Sequence, residues 1–173
     1  MLPYNKNLNL EFKPENLKTI YLAGGCFWGT DAYMARVLGV AETESGYANG
    51  NTPLPVTYED VYSDTTGYAE VVSVVYDITR VTLTEILEEF FSITNPTTLN
   101  KQANDVGTRY RSGIYYIDEA DVPVIQAVID QVQAGFSEPI VTTIEPLVNY
   151  QAAEVYHQNY LEKNPNGYCH VQF

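Results

Sequence analysis

From Tyr68 to Asp77 the chain alternates in polarity and is rich in Val, a pattern that predicts a strand. The period then changes. Over Thr82 to Thr94 a Thr-x-x-Glu opening (Thr82, Glu85) leads into apolar Ile86, Leu87, Phe90 and Phe91, the spacing of a helix facing a core. Nearer the start, Thr19-Ile20-Tyr21-Leu22-Ala23 is a short apolar run stopped by Gly24-Gly25, which predicts a buried strand. Tyr33, Met34, Val37 and Leu38 then fall at helical spacing within Thr30 to Leu38, ended by Gly39. Val40 to Tyr47, Gly113 to Ile117 and Ile140 to Ile144 predict further strands, and Ala120 to Val132 a helix. Ala152 to Glu162 predicts a short helix before the Asn164-Pro165-Asn166-Gly167 turn, and Ala48 to Val56 a loop. Asn95 to Arg109 is polar, aperiodic and long for a connector, which favours a functional loop. Residues 1–16 show no period and are expected to form an N-terminal arm, with a single catalytic domain over 17–173. Intermixed strands and helices predict an α+β fold: a two-layer sandwich of ferredoxin-like type, a mixed sheet with helices packed over it.

Charge narrows the classes of function. With 9 Lys+Arg against 22 Asp+Glu, the 173-residue chain carries a formal charge of −13, which repels phosphate backbones and anionic lipid heads. Nucleic acid and membrane are therefore not expected partners. No apolar window reaches the roughly 18 residues a membrane span needs, and the N-terminus lacks a cationic-then-apolar signal layout, so a cytoplasmic location is expected. Two cysteines are too few for a disulfide scaffold, and no Cys-x-x-Cys or His-x-x-x-His spacing offers a metal site; no cofactor is expected. The 15 Tyr against 6 Phe and 1 Trp fit either amphipathic packing or a Tyr-lined site.

The chemistry-bearing stretch runs from Gly24 to Thr30. Gly24 and Gly29 have the separation of a phosphate-binding loop, but Thr30 and Asp31 stand where that loop needs Lys and then Ser or Thr, and Cys26 occupies a glycine position of the dinucleotide fingerprint. What remains is Cys26 where a strand turns into a helix. Free backbone N–H groups and the helix dipole favour a thiolate there, so a lowered thiol pKa is expected. The plainer alternative is a small buried hydrophobe.

Gly25-Cys26-Phe27-Trp28-Gly29 resembles the signature of the A-type peptide methionine sulfoxide reductases. The resemblance continues through Ser45-Gly46-Tyr47-Ala48-Asn49-Gly50, Thr57-Tyr58, Thr66-Gly67-Tyr68-Ala69-Glu70 and Gln102 to Ser112. It closes with Tyr156-His157-Gln158 and Asn164-Pro165-Asn166-Gly167-Tyr168-Cys169, and so covers roughly residues 18 to 170 in order.

That resemblance implies thiol-dependent reduction of methionine S-sulfoxide in oxidised proteins, with Cys26 as nucleophile and a cysteine sulfenic acid as the product on the protein. It implies Phe27 and Trp28 as the wall for the substrate methyl, Glu70 as the acid that protonates the oxygen, and Tyr58 and Tyr110 as its hydrogen-bond donors. It places Asp105 in support, Cys169 as the resolving thiol, and thioredoxin as reductant of a Cys26–Cys169 disulfide. The residues themselves agree in part: Glu70 lies within an otherwise apolar strand, where a carboxyl pKa rises. Cys169 follows Pro165 and Gly167 near the chain end, a context that implies mobility. His157 is expected to make a structural hydrogen bond rather than to act as a base. Asp31 stands where relatives often have Glu, and no further cysteine follows Cys169. Two rival classes are weaker: a cysteine hydrolase pairing Cys26 with His157, and a non-enzymatic Tyr-rich binding module.

Overall fold

A computed structural model describes every residue from Met1 to Phe173. Its main sheet has six strands in the order β7-β6-β1-β3-β2-β8. These are β1 (Leu17–Ala23), β2 (Val40–Ala48), β3 (Ala69–Asp77), β6 (Gly113–Tyr116), β7 (Thr143–Pro146) and β8 (Tyr150–Ala152). β4 (Lys101–Gln102) and β5 (Asp105–Val106) form a separate small hairpin. The helices are α1 (Phe27–Met34), α2 (Tyr58–Tyr62), α3 (Leu83–Ser92), α4 (Val122–Gln133) and α5 (Tyr160–Lys163). Only β6 and β7 pair in parallel, so the sheet is mixed. The succession β1-α1-β2-β3-α3-β6 with strand order β6-β1-β3-β2 is the split βαβ arrangement of a ferredoxin-like fold, as the sequence predicts.

The alternation of β3 decides which residues meet the helices. Val72, Val74 and Tyr76 share one face and join Ile20 and Leu22 of β1, Ile86, Leu87 and Phe90 of α3, and Ile125, Val128 and Ile129 of α4 in the main core. Glu70 is two residues before Val72, so the same period sends its carboxyl into this core. The opposite face carries a smaller cluster of Ala23, Ala48, Ala69, Val71 and Tyr115. At α3 the Thr82 and Glu85 pair forms the reciprocal cap its sequence predicts.

Three elements differ from expectation. α1 runs from Phe27 rather than Thr30, because Cys26 itself stands at the cap position, and ends at Met34 rather than Leu38, beyond which the Ala35 and Val37 carbonyls accept from the Asn7 amide. The expected strand over Ile140 to Ile144 shifts to Thr143–Pro146: Val141 gives its N–H to Pro96 across a loop, and pairing with β6 begins only at Thr143. The expected helix over Ala152 to Glu162 is broken into a turn at Val155–His157 and the short α5, since Asn159 adopts a left-handed φ of 51°. Gln158, between them, spends its side chain on the Ser45 N–H and C=O of β2. Residues 1–16 lie on the domain through Asn7, whose buried amide donates to the Ala35 and Val37 carbonyls and accepts from the Gly39 N–H. No helix is long and apolar enough to cross a membrane.

Candidate active site

β1 ends at Ala23, and Gly24-Gly25 swing the chain so that Cys26 sits at the first turn of α1. Gly25 has a φ of +87°, and a Cβ there would lie 2.7 Å from the Gln102 side chain, so no other residue fits the turn. Cys26 is buried and free. The first helical amide, Phe27 N–H, donates to Glu70 Oε1 at 3.2 Å, which brings the only buried carboxyl of β3's core face against the turn that carries Cys26. Burial pushes the Glu70 pKa up to about 8, although the Phe27 N–H and the Arg109 guanidinium pull it down.

The thiol corrects one expectation. Its pKa is raised well above the ordinary value, first by burial and then by the facing Glu70 carboxyl, and the Trp28 backbone N–H only partly offsets this. The helix start is present, but a thiolate in a water-poor pocket beside an acid costs more than eight residues of helix return.

Tyr58 opens α2, whose Thr57 and Asp60 form a second reciprocal cap. Its backbone N–H donates to Glu154 Oε2 at 2.8 Å, and its ring packs on His157 at 4.6 Å. Burial and the Glu70 carboxyl raise its hydroxyl pKa, and the same two causes lift that of Tyr110 to about 12. Both phenols are thus neutral O–H groups facing Glu70. Arg109 lies over the rings of Tyr62 and Tyr110 at 4.3 and 4.4 Å, a cation that the sequence analysis did not single out.

Trp28 stacks on Tyr160 with ring centroids 3.7 Å apart and planes 10° from parallel, and its indole N–H donates to His157 Nδ1 at 3.0 Å. His157 Nδ1 is thus engaged with the indole, as the expected structural hydrogen bond. Phe27 is almost wholly buried against Tyr47 and His157, while Trp28 remains partly open. Asp105, in β5, accepts from Tyr168 Oη at 3.1 Å, one residue before Cys169. The Cys169 thiol is half-buried and points to the Val171 carbonyl at 3.4 Å. Its sulfur occupies the gap at Gly29, where a Cβ would come within 3.0 Å of it. Cys26, Glu70, Tyr58, Tyr110, Asp105 and Cys169 all fall within one electrostatic neighbourhood. Glu154 and Asp31 were not anticipated as parts of the frame. Glu154 also accepts from the Tyr47 hydroxyl at 2.7 Å, and Asp31 is buried in α1 with the Thr43 hydroxyl at 2.6 Å.

Comparison with known proteins agrees with this geometry. The sequence profile described as peptide methionine sulfoxide reductase matches residues 18–173. A curated relative named peptide methionine sulfoxide reductase MsrA, from Clostridium perfringens, is 52% identical over 156 residues, 90% of this chain and 99% of that protein. The crystal structure of Mxr1 from Saccharomyces cerevisiae in reduced form superposes with a TM-score of 0.88 at 38% identity, covering 94% of this chain and 95% of that one. Mxr1 in complex with Trx2 gives a TM-score of 0.61 at 31% identity, covering 87% and 89%.

Proposed function

We propose a role for each residue of this site from one premise: the chain belongs to the peptide methionine sulfoxide reductase family, whose profile spans residues 18–173. It reduces methionine sulfoxide with thiols as the electron source, and its substrate is the S epimer in oxidised proteins. Cys26 attacks the sulfoxide sulfur while Glu70, protonated at neutral pH by its buried seat, gives its proton to the oxygen. Tyr58 and Tyr110 direct their O–H groups at the same atom. The proton that Cys26 sheds returns to the emptied Glu70 carboxylate. The oxygen then forms a bond to the Cys26 sulfur as the substrate S–O bond and the transient bond between the two sulfurs break; Cys26 is left as sulfenic acid, and the substrate sulfur gains two electrons and leaves as methionine. A raised thiol pKa suits this order, since thiol and acid exchange one proton within the site.

Trp28, its plane held by Tyr160 and His157, forms the open wall for the methyl group, and Phe27 backs it from the core. Cys169 then attacks the Cys26 sulfur; the hydroxyl leaves as water with the Cys169 proton, and a disulfide remains. Asp105 orders the segment that carries Cys169 by holding Tyr168. Thioredoxin is the reductant that reopens the bond, a reading supported by the yeast relative solved in complex with Trx2. Residues 17–173 carry the reaction and 1–16 are an arm. A reducing cytoplasm is the compartment in which this disulfide stays transient.

The observation that carries the reading is the Glu70 carboxyl seated on the first amide after Cys26. Assay of the resolved sulfoxide epimers with dithiothreitol tests it. The S epimer is expected to be consumed and the R epimer spared; turnover of R alone, or of neither, would overturn it.

A further inference from the structure

His170 is a half-buried titratable side chain beside both cysteines that the reaction above leaves without a task. Its ring packs on the turn that carries Cys26: Nε2 comes within 3.4 Å of where a Cβ on Gly25 would lie, and Gln102 closes on the same spot. Both ring nitrogens are sealed from solvent, and neither has a hydrogen-bond partner. The Gly24 carbonyl and the Asp105 carboxylate face the ring without meeting a nitrogen in hydrogen-bond geometry, and burial keeps the imidazole neutral. A polar group buried in this way weakens the state that buries it by roughly tenfold or more.

The same short segment holds Cys169 at Gly29, with its thiol on the Val171 carbonyl. A disulfide needs a sulfur–sulfur distance of about 2.05 Å, so closing the bond to Cys26 draws Cys169 off that carbonyl and carries the adjoining His170 with it.

We propose that His170 is a positioning residue that makes the thiol-state seat of the C-terminal segment provisional: its unpartnered ring is tolerated against Gly25 only while both cysteines are reduced, and its release favours the Cys26–Cys169 disulfide. The proposal rests on the resolving role given to Cys169 above. In the exchange with dithiothreitol, the protein disulfide takes two electrons and two protons and becomes two thiols, while dithiothreitol closes its own disulfide.

The test is that equilibrium, measured in dithiothreitol buffers of defined ratio for the wild type, His170→Leu, His170→Phe and His170→Gln. The apolar variants remove the unpaired nitrogens, so the balance should move toward the thiols by roughly tenfold. His170→Gln, which keeps buried polar atoms, should stay closer to wild type than either apolar variant. Methionine released in one turnover without reductant should be the same in all four. If the Leu variant does not fold, the Phe variant is read in its place. An equilibrium equal in all variants, or displaced toward the disulfide, overturns the proposal alone. A wild type that forms no Cys26–Cys169 disulfide overturns the role of Cys169 and the proposal with it.

Discussion

At Glu70 the demands of chemistry and of solvation meet in one carboxyl. A Glu with a pKa near 8 is mostly protonated at neutral pH and still close enough to neutrality to give the proton up. The rate of methionine formation in a single turnover should therefore be level below pH 7 and fall as pH rises through about 8. Glu70→Gln should lower that rate by about 10²–10⁴-fold, the usual worth of a positioned acid, and remove the inflection. Quenched-flow assays of methionine across pH check both. An unchanged rate in the variant would mean that the oxygen gets its proton elsewhere. The state of the Cys26 thiol was not legible in the sequence. The helix start is local and visible, but the burial and the facing carboxyl that override it arrive from β3 and the loops.

Among the elements, α1 answers to two masters. Gly29 stands in its first turn, where Ala would favour the helix by roughly 1 kcal/mol. A Cβ there, however, would meet Val171 Cγ2 at 2.9 Å and Cys169 Sγ at 3.0 Å. Gly29→Ala is expected to keep the reductive step and to slow closure of the Cys26–Cys169 disulfide by about tenfold, the lower range of overpacking costs. Mass spectrometry of free thiols after one turnover measures this, and closure at the wild-type rate would show that Cys169 does not act from its seat at Gly29. His157→Ala leaves the Trp28 indole N–H without its partner and should raise KM for the sulfoxide several-fold with a smaller effect on kcat. A fall in kcat alone would point to a proton-transfer role for this histidine instead. Elements with local signals were legible: the Thr82 cap and the glycine turn before Cys26 are written in four or five neighbouring residues. The break at Asn159 was not, because Gln158 is recruited by the backbone of β2 across the fold.

For the whole molecule, the buried acid has a price in stability whose sign follows from its pKa. The folded value lies above the ordinary 4.5, so this group's favourable contribution is complete below about pH 4.5 and is lost progressively as pH rises toward 8. At pH 7 the loss is on the order of 3 kcal/mol. Glu70→Gln should accordingly be more stable than wild type by about that amount at neutral pH, with the gap closing near pH 4; urea titrations at the two pH values compare them. A gap that stays constant with pH would mean that Glu70 is ionised in the folded protein. The topology was legible as a class because strands and helices alternate along the chain, whereas the parallel β6–β7 pair depends on a crossover that no local pattern records. The proposed chemistry could be framed from the sequence because Cys26, Glu70 and Cys169 each stand in a distinctive short motif, and the fold brings these three residues into one electrostatic neighbourhood.

The most direct measurement is a single turnover of Cys169→Ser with the S-sulfoxide of a methionine peptide and no added reductant. One equivalent of methionine should appear per protein, and a sulfenic-acid trap such as dimedone should label Cys26 to the same extent. Methionine formed without a trappable Cys26, or a trappable Cys26 without methionine, would show that the substrate oxygen does not pass to that sulfur.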